Sequence, residues 1–231
     1  RGVEPGSPAF RKGGYCTQLN PRATFAAMVY RLDVYVGQLV QKLKDKEVYD
    51  NTIIIFASDN GPHREGGADP DFFNSNGIWR GYKRDLYEGG IRVPMIISWP
   101  GHIQAGTETN FMCSFWDLMP TFEELLNPKA AVKEMDGVSM LPLLENRKGQ
   151  KEHEYLYFEF QELNGRQAVR KGVWKLVHMN IRGEKPYYEL YNLAADPSEK
   201  YNLLNKYPEK AEELKAIMLE AHTDDPNWPL F

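Results

Sequence analysis

The sequence predicts an α/β fold that ends in a small antiparallel sheet packed on a helix. A long amphipathic pattern precedes a continuous apolar run, and a second short apolar run and another helical pattern follow. Continuous apolar runs are typical of strands that helices cover on both faces. After about residue 145 the composition changes to short aromatic segments between glycine turns, which indicates an antiparallel meander. We therefore predict an α/β core over residues 1–150 and a sheet-and-helix subdomain over residues 151–231.

The core elements follow from local patterns. Asn20 and Pro21 have the residue types of a helix cap and of a first helical position. Apolar side chains then recur at three- and four-residue spacing as far as Leu43, which indicates one apolar helix face. The long loop over residues 59–90 has little periodicity, and such loops are usually functional or disordered. The other predicted elements are a strand over Thr52–Ala57 with both faces covered, a strand over Val93–Trp99 and a helix over Trp116–Leu126.

The C-terminal subdomain is predicted from β-leaning segments rich in aromatic residues. Asn-Gly, Lys-Gly and Arg-Gly pairs separate these segments, as expected for hairpin turns. A closing helix has its apolar residues on one face. The predicted strands are Tyr155–Phe160, Gln167–Arg170, Trp174–Met179 and Tyr188–Leu193, and the predicted helix is Pro208–Ala221.

Composition limits the classes of function. The chain has 231 residues, of which 42% are hydrophobic and 13% aromatic, so it can form a core and is too apolar for disorder. Its formal net charge of −4 argues against a nucleic-acid partner. The sequence contains no run of about 18 apolar residues, so it predicts no membrane span. Cys16 and Cys113 can form at most one disulfide and match no zinc pattern, and whether they pair stays open.

Two side chains with oxygen donors follow the first predicted strand, and a lysine comes later in the same loop. Asp59 and Asn60 come directly after it, at the strand end where open α/β sheets bind ligands. Carboxylate and amide oxygens suit calcium or magnesium, and Lys83 can neutralise an anionic substrate. An ordinary Asp-Asn-Gly turn and a solvated lysine are the simpler interpretations of the same residues. His63 can contact substrate, donate a proton or cap a loop.

Other charged residues of the loop have structural interpretations. Arg80 and Arg84 flank Lys83 and are expected on a solvated basic surface. Glu88 and Arg92 flank a Gly-Gly pair, and we expect them to form a structural ion pair.

Several blocks of the sequence together resemble the C-terminal half of arylsulfatase-type sulfatases. The blocks occur in the family's order and cover the chain from about residue 20 onward, which makes the series more specific than any single motif. They are Phe25–Asp33, Phe56–His63, Gly81–Pro94, Trp99–Gly101, Asp117–Thr121, Glu189–Pro197 and Tyr201–Leu203.

The resemblance implies both a fold and an activity. The fold is the latter part of an alkaline-phosphatase-like α/β/α sandwich, followed by a small C-terminal antiparallel sheet packed on a helix. The activity is hydrolysis of sulfated carbohydrates or aryl sulfates by a calcium-assisted formylglycine mechanism, in a periplasmic or secreted enzyme. Asp59 and Asn60 match two calcium ligands, Lys83 matches a catalytic lysine that binds the sulfate group, and His63 falls in the substrate rim.

The nucleophile motif is where the chain departs from the family. Formylglycine arises from Cys or Ser in Cys/Ser-X-Pro/Ala-X-Arg near the start of the enzyme, and neither Cys16 nor Cys113 fits. Ser7 fits formally, but it precedes a helix that comes late in the family fold, so we interpret the match as a coincidence. We therefore expect the nucleophile in a missing N-terminal half and expect this chain to be inactive alone. A half core exposes apolar surface, so we expect that half, or a second copy, as its partner.

Two other functions remain open. The first is a phosphoester or phosphonate hydrolase of the same superfamily, although Asn60 and Lys83 argue against its usual zinc and histidine site. The second is a non-catalytic module that binds carbohydrate or protein, although the intact Asp59, Asn60 and Lys83 favour an enzyme.

Overall fold

The computed structural model describes residues 16–126 and 135–231. Ser7 therefore lies outside the described residues. The chain forms two compact units. The first comprises the chain up to Tyr49, Phe56–Met95 and Leu193–Tyr201, and the second comprises Asp50–Ile55, Ile96–Asn192 and Asn202–Phe231. The division at residue 150 stays a prediction.

The first unit is dominated by one long helix. Helix α1 spans Pro21–Asp45 and begins at the predicted proline. No residue of α1 is buried, and Leu39 on its apolar face is 67% exposed. The phenyl rings of Phe25 and Phe73 lie 5.1 Å apart between centroids. The loop after residue 59 contains two short helices, α2 over Pro70–Phe73 and α3 over Glu88–Ile91.

The first two strands are shorter and less covered than the sequence predicts. Strand β1 spans Ile54–Ala57, strand β2 spans Met95–Ser98, and the two pair in a two-stranded sheet. The prediction that both faces of β1 are covered is wrong for the described chain, since Phe56 is 37% exposed. Ile96 of β2 is 63% exposed. Pro94 delays the start of β2, because proline has no N–H to donate within a sheet.

The second unit contains the predicted antiparallel meander. Four strands pair in the order β3-β4-β5-β6, and all three pairings are antiparallel. Their inner side chains, among them Val169, Leu176 and Leu190, form a core with Leu214 and Met218 of the closing helix α6. The elements are β3 Leu156–Phe160, β4 Arg166–Lys171, β5 Trp174–Met179, β6 Tyr187–Asn192 and α6 Pro208–Ala221.

The other helices of the second unit are short. Helix α4 spans Leu118–Leu126 and follows a 3₁₀ turn over Phe115–Asp117, so it begins two residues after the predicted start. The residues predicted as its start belong to this 3₁₀ turn, which a capping box stabilises, since the Asp117 carboxylate accepts the Ser114 N–H at 2.7 Å. Helix α5 spans Leu141–Leu144. Within the described ranges, every helix is too short or too polar to cross a membrane.

Candidate metal and anion site

The oxygen donors predicted to bind a metal lie directly after β1. Asp59 is exposed and Asn60 is half-buried. The Asn60 Nδ2 donates to the Gly61 carbonyl at 2.9 Å, and the Ser58 hydroxyl donates to the Asn60 carbonyl at 2.9 Å. Across residues 16–126 and 135–231 nothing donates to the Asp59 carboxylate or to Asn60 Oδ1. Both oxygens are therefore available to a cation.

Backbone hydrogen bonds hold this turn against the segment that contains Lys83. The Gly61 N–H donates to the Gly90 carbonyl at 2.9 Å, and the Lys83 N–H donates to the Pro62 carbonyl at 2.8 Å. A Cβ added at Gly61 would lie only 1.8 Å from the Gly89 carbonyl oxygen. The close approach therefore requires glycine, and it brings the backbone of Lys83 next to the residues that follow Asn60.

Lys83 lies in a tight turn. The Asp85 N–H donates to the Tyr82 carbonyl at 2.8 Å, and the Asp85 carboxylate accepts the Tyr82 N–H at 3.0 Å. At the base of the turn the Gly89 N–H donates to the Arg80 carbonyl at 2.6 Å. The Lys83 ammonium has no ion pair within the part of the chain that the structure describes. A positive charge held on an ordered backbone without a partner carboxylate is suited to bind an anion.

The arginines beside Lys83 are not free surface charges, which corrects the expectation for them. Arg84 forms an ion pair with Glu65. Arg80 donates from Nη1 to the Glu199 carbonyl at 2.9 Å, and its guanidinium stacks 3.7 Å above the Tyr87 ring. The two arginines differ from Lys83 in that their guanidinium groups have partners: Arg84 is bonded to Glu65, and Arg80 donates to both the Glu199 carbonyl and the Tyr87 hydroxyl.

The expected ion pair between Glu88 and Arg92, across α3, is confirmed. Arg92 Nη1 lies 3.5 Å from Glu88 Oε2. The Glu88 side chain is buried, and Arg92 also stacks on the Trp79 ring at 4.1 Å. These contacts give both residues a structural role next to the Lys83 turn.

His63 is half-buried at the start of the loop that follows the oxygen donors. Its Nδ1 accepts the Glu65 N–H at 3.1 Å, so the neutral ring carries its proton on Nε2. The loop beyond it is ordered by charge, since Arg64 donates to Asp71 and to the Tyr82 hydroxyl, each at 2.8 Å. Hydrogen bonds from Tyr82 and then Arg64 hold the pKa of the Asp71 carboxyl below its usual range.

The donor set fits part of a site for a hard cation. Calcium takes about six to eight oxygen ligands, and Asp59 and Asn60 supply oxygens without nitrogen or sulfur. Among the described residues no group of three or more His, Cys, Asp and Glu side chains could hold a metal ion. Asp59 and Asn60 by themselves therefore supply too few ligands to complete such a site.

Sequence reasoning missed Glu199. It is fully buried, and its Oε2 accepts the Glu88 N–H at 2.7 Å. Glu199 lies more than a hundred positions from Lys83 in the sequence, so no local pattern connects the two residues.

The chain matches known families and proteins along most of its length. Residues 5–128 match the sulfatase family, and residues 77–224 match the C-terminal domain of N-sulphoglucosamine sulphohydrolase. The chain is 30% identical over 213 residues to an N-acetylgalactosamine-6-O-sulfatase of Bacteroides thetaiotaomicron, covering 85% of this chain and 41% of that protein. It is 31% identical over 229 residues to human arylsulfatase A, covering 86% of this chain and 43% of that protein. The chain thus spans about two fifths of the length of these curated relatives.

Solved structures show the same relationship. The crystal structure of Ps i-CgsB in complex with k-i-k-neocarrahexaose matches with a TM-score of 0.74 and 30% identity, covering 97% of this chain and 47% of that one. A phosphonate monoester hydrolase of Agrobacterium radiobacter matches with a TM-score of 0.65 and 24% identity, covering 86% and 40%. At that identity the second match shows the fold alone. The predicted alkaline-phosphatase-like α/β fold is therefore confirmed. Since the family match over residues 5–128 covers more than half of the 231 residues, the chain belongs to the sulfatase family.

Proposed function

We propose that this chain is the C-terminal part of a sulfuric ester hydrolase. The whole enzyme would cleave the S–O bond of a sulfate ester with one water molecule, releasing an alcohol and inorganic sulfate. The proposal rests mainly on the position of Lys83 in its turn. Its backbone is hydrogen-bonded to Pro62, two residues beyond Asn60, and its ammonium has no described ion-pair partner.

Each residue of the site has a role in this proposal. Asp59 and Asn60 would hold a calcium ion, which when bound polarises the sulfate group. Lys83 would donate hydrogen bonds to the sulfate oxygens and stabilise the negative charge that develops on the leaving oxygen. His63 would present its Nε2 proton to the sugar or aryl group. The formylglycine nucleophile and the other metal ligands would come from the N-terminal half of the fold.

The exposed apolar face of α1 is evidence that this chain binds a partner. None of its residues is buried, and exposed apolar surface of this kind marks an interaction site. We propose that the N-terminal half of the sulfatase fold covers it, and that the isolated chain is inactive. The relatives named for N-acetylgalactosamine 6-O-sulfate and aryl sulfates favour a sulfated carbohydrate or an aryl sulfate as substrate. A periplasmic or secreted location is part of the same proposal.

The test is turnover by the full-length protein that contains this chain. We expect hydrolysis of an aryl sulfate and of a 6-O-sulfated amino sugar, with loss of activity when calcium is chelated. Lys83→Ala should lower kcat/KM by about 100-fold or more, because one preorganised donor to a developing oxyanion contributes that much. Lys148→Ala, an exposed lysine outside the site, is the matched control and should leave kcat/KM unchanged.

The same assay distinguishes a sulfatase from the alternative, a phosphoester or phosphonate hydrolase. The fold match to the phosphonate monoester hydrolase is the observation in its favour. An aryl phosphate or phosphonate turned over faster than the matching aryl sulfate would favour this alternative. Sugar binding without hydrolysis of any ester would favour the non-catalytic module.

A further inference from the structure

We propose that Glu199 is a positioning residue for Lys83, an inference that rests on the proposed sulfatase function. Glu199 lies in the segment Leu193–Tyr201, which follows β6 and belongs to the first compact unit together with the Lys83 turn. Its side chain is fully buried. A buried carboxylate is costly unless it is hydrogen-bonded, so the contacts that it makes define its role.

Glu199 fastens both ends of the Lys83 turn. Its carboxylate Oε2 accepts the Glu88 N–H at 2.7 Å, and its backbone carbonyl accepts Arg80 Nη1 at 2.9 Å. Arg80 and Glu88 flank the base of the turn, where the Gly89 N–H donates to the Arg80 carbonyl at 2.6 Å. One residue therefore holds the chain on both sides of Lys83.

The segment that contains Glu199 is itself ordered by Asp196. Glu199 has a φ of 52°, an unusual value for a residue other than glycine. The Asp196 carboxylate accepts the N–H groups of Lys200 and Tyr201 at 2.7 and 2.8 Å, and the Asp196 carbonyl accepts the Glu199 N–H at 3.2 Å. Such a conformation persists only where the surroundings fix it. Asp196 thus fixes the backbone conformation that directs the Glu199 side chain toward the Lys83 turn.

This arrangement matters for the position of the Lys83 ammonium. The Pro62 carbonyl holds the Lys83 N–H and the Gly90 carbonyl holds the Gly61 N–H, whereas Glu199 holds Arg80 and Glu88 at the base of the turn. Releasing Glu199 therefore removes the contacts that the segment after β6 makes with this base. A displacement of about 1 Å of a group that orients substrate can cost about 100-fold in rate. Glu199 would therefore act on catalysis through Lys83, without touching the substrate.

The first test is amide hydrogen exchange in the full-length protein, measured on peptides covering residues 80–90. Glu199→Asp keeps the charge but shortens the side chain by one methylene, so it cannot reach the Glu88 N–H. We expect exchange about tenfold faster or more, as expected for loss of a hydrogen bond to a charged group. Glu199→Gln keeps an acceptor oxygen, and Glu220→Gln alters an exposed residue of α6. Both should stay within about threefold of the unaltered protein. Unchanged exchange in Glu199→Asp would overturn the inference.

The second test is a double-mutant cycle on aryl sulfate turnover. Glu199→Asp should lower kcat/KM by about 10- to 100-fold, and Glu199→Gln should restore it to within about threefold. In the Lys83→Ala background, Glu199→Asp should cause no further loss, because residues that act as a unit are non-additive. An additive loss would mean that Glu199 only stabilises the fold, and would overturn the positioning role. If the unaltered protein hydrolyses no sulfate ester, the proposed function fails, and the exchange experiment still decides whether Glu199 fastens the turn.

Discussion

At the scale of single residues, Gly61 decides whether the oxygen donors and the lysine turn can meet. An added Cβ would lie 1.8 Å from the Gly89 carbonyl oxygen and 3.0 Å from Gly90 Cα. These are backbone atoms, so they cannot rotate aside as the end of a flexible side chain can. Any side chain at position 61 therefore forces apart the turn after β1 and the start of α3.

The corresponding prediction compares two glycines of the same unit. Gly61→Ala should lower the free energy of unfolding by about 2 kcal/mol or more, because the clash can be relieved only by moving backbone. Gly37→Ala is the control, since Gly37 lies inside α1 and an added Cβ there meets nothing within 4 Å. It should be neutral or stabilising by up to about 1 kcal/mol. Urea unfolding of both variants of the full-length protein measures this, and equal stabilities would contradict the clash.

At the scale of elements, the end of α6 is held by a titratable contact. His222 follows the last residue of α6, and its Nδ1 lies 2.8 Å from Glu159 Oε2 on β3. Its Nε2 lies 3.0 Å from Asp224 Oδ1. Burial acts to lower the pKa of His222, but the hydrogen bonds and charges of the two carboxylates raise it, and the net pKa is raised. The protonated imidazole therefore links the helix end to the sheet.

The sign of the pH dependence follows from that raised pKa. The contribution of His222 to stability is fully present below its unfolded pKa, about 6.5, and is lost as pH rises through the higher folded pKa. Hydrogen exchange in the last turn of α6, corrected for intrinsic rates, should therefore show more frequent opening at about pH 8.5 than at about pH 6. His222→Gln should remove this dependence and His102→Gln should retain it. An unchanged pH dependence in His222→Gln would show that another group is responsible.

At the scale of the whole molecule, local patterns predicted the elements better than the connections between them. The Asn20-Pro21 pair predicted the start of α1, although the Asn20 side chain makes no capping hydrogen bond, and glycine turns predicted the four-stranded meander. Asp59, Asn60 and Lys83 could be selected because turn chemistry and residue type are local properties. Glu199 could not, because its contact with Glu88 depends on how the chain returns after β6. The prediction that both faces of β1 are covered was wrong for the same reason, since burial depends on which other elements pack on the strand.

The last prediction concerns the apolar face of α1, which would be covered by the N-terminal half of the fold. Leu39 and Met28 are 67% and 65% exposed. An apolar side chain stabilises by about 1.5–3 kcal/mol when it is buried, so a helix with several of them exposed favours association. The isolated chain should therefore self-associate with rising concentration and bind a dye that detects apolar surface. Coexpression with the N-terminal half should give one stable complex of both pieces that hydrolyses an aryl sulfate.

Paired variants make this prediction specific. Met28→Lys with Leu39→Lys should reduce self-association of the isolated chain and prevent capture by the N-terminal half, because the lysines cannot be buried without partners. Lys46→Glu lies just beyond the end of α1 and should alter neither property. Sedimentation velocity of each chain, alone and mixed with the N-terminal half, measures both. An isolated chain that remains monomeric at high concentration and binds no N-terminal half would mean that α1 has no partner in the sulfatase fold. The exposed face would then argue for the non-catalytic module, since the nucleophile could not be brought to Lys83.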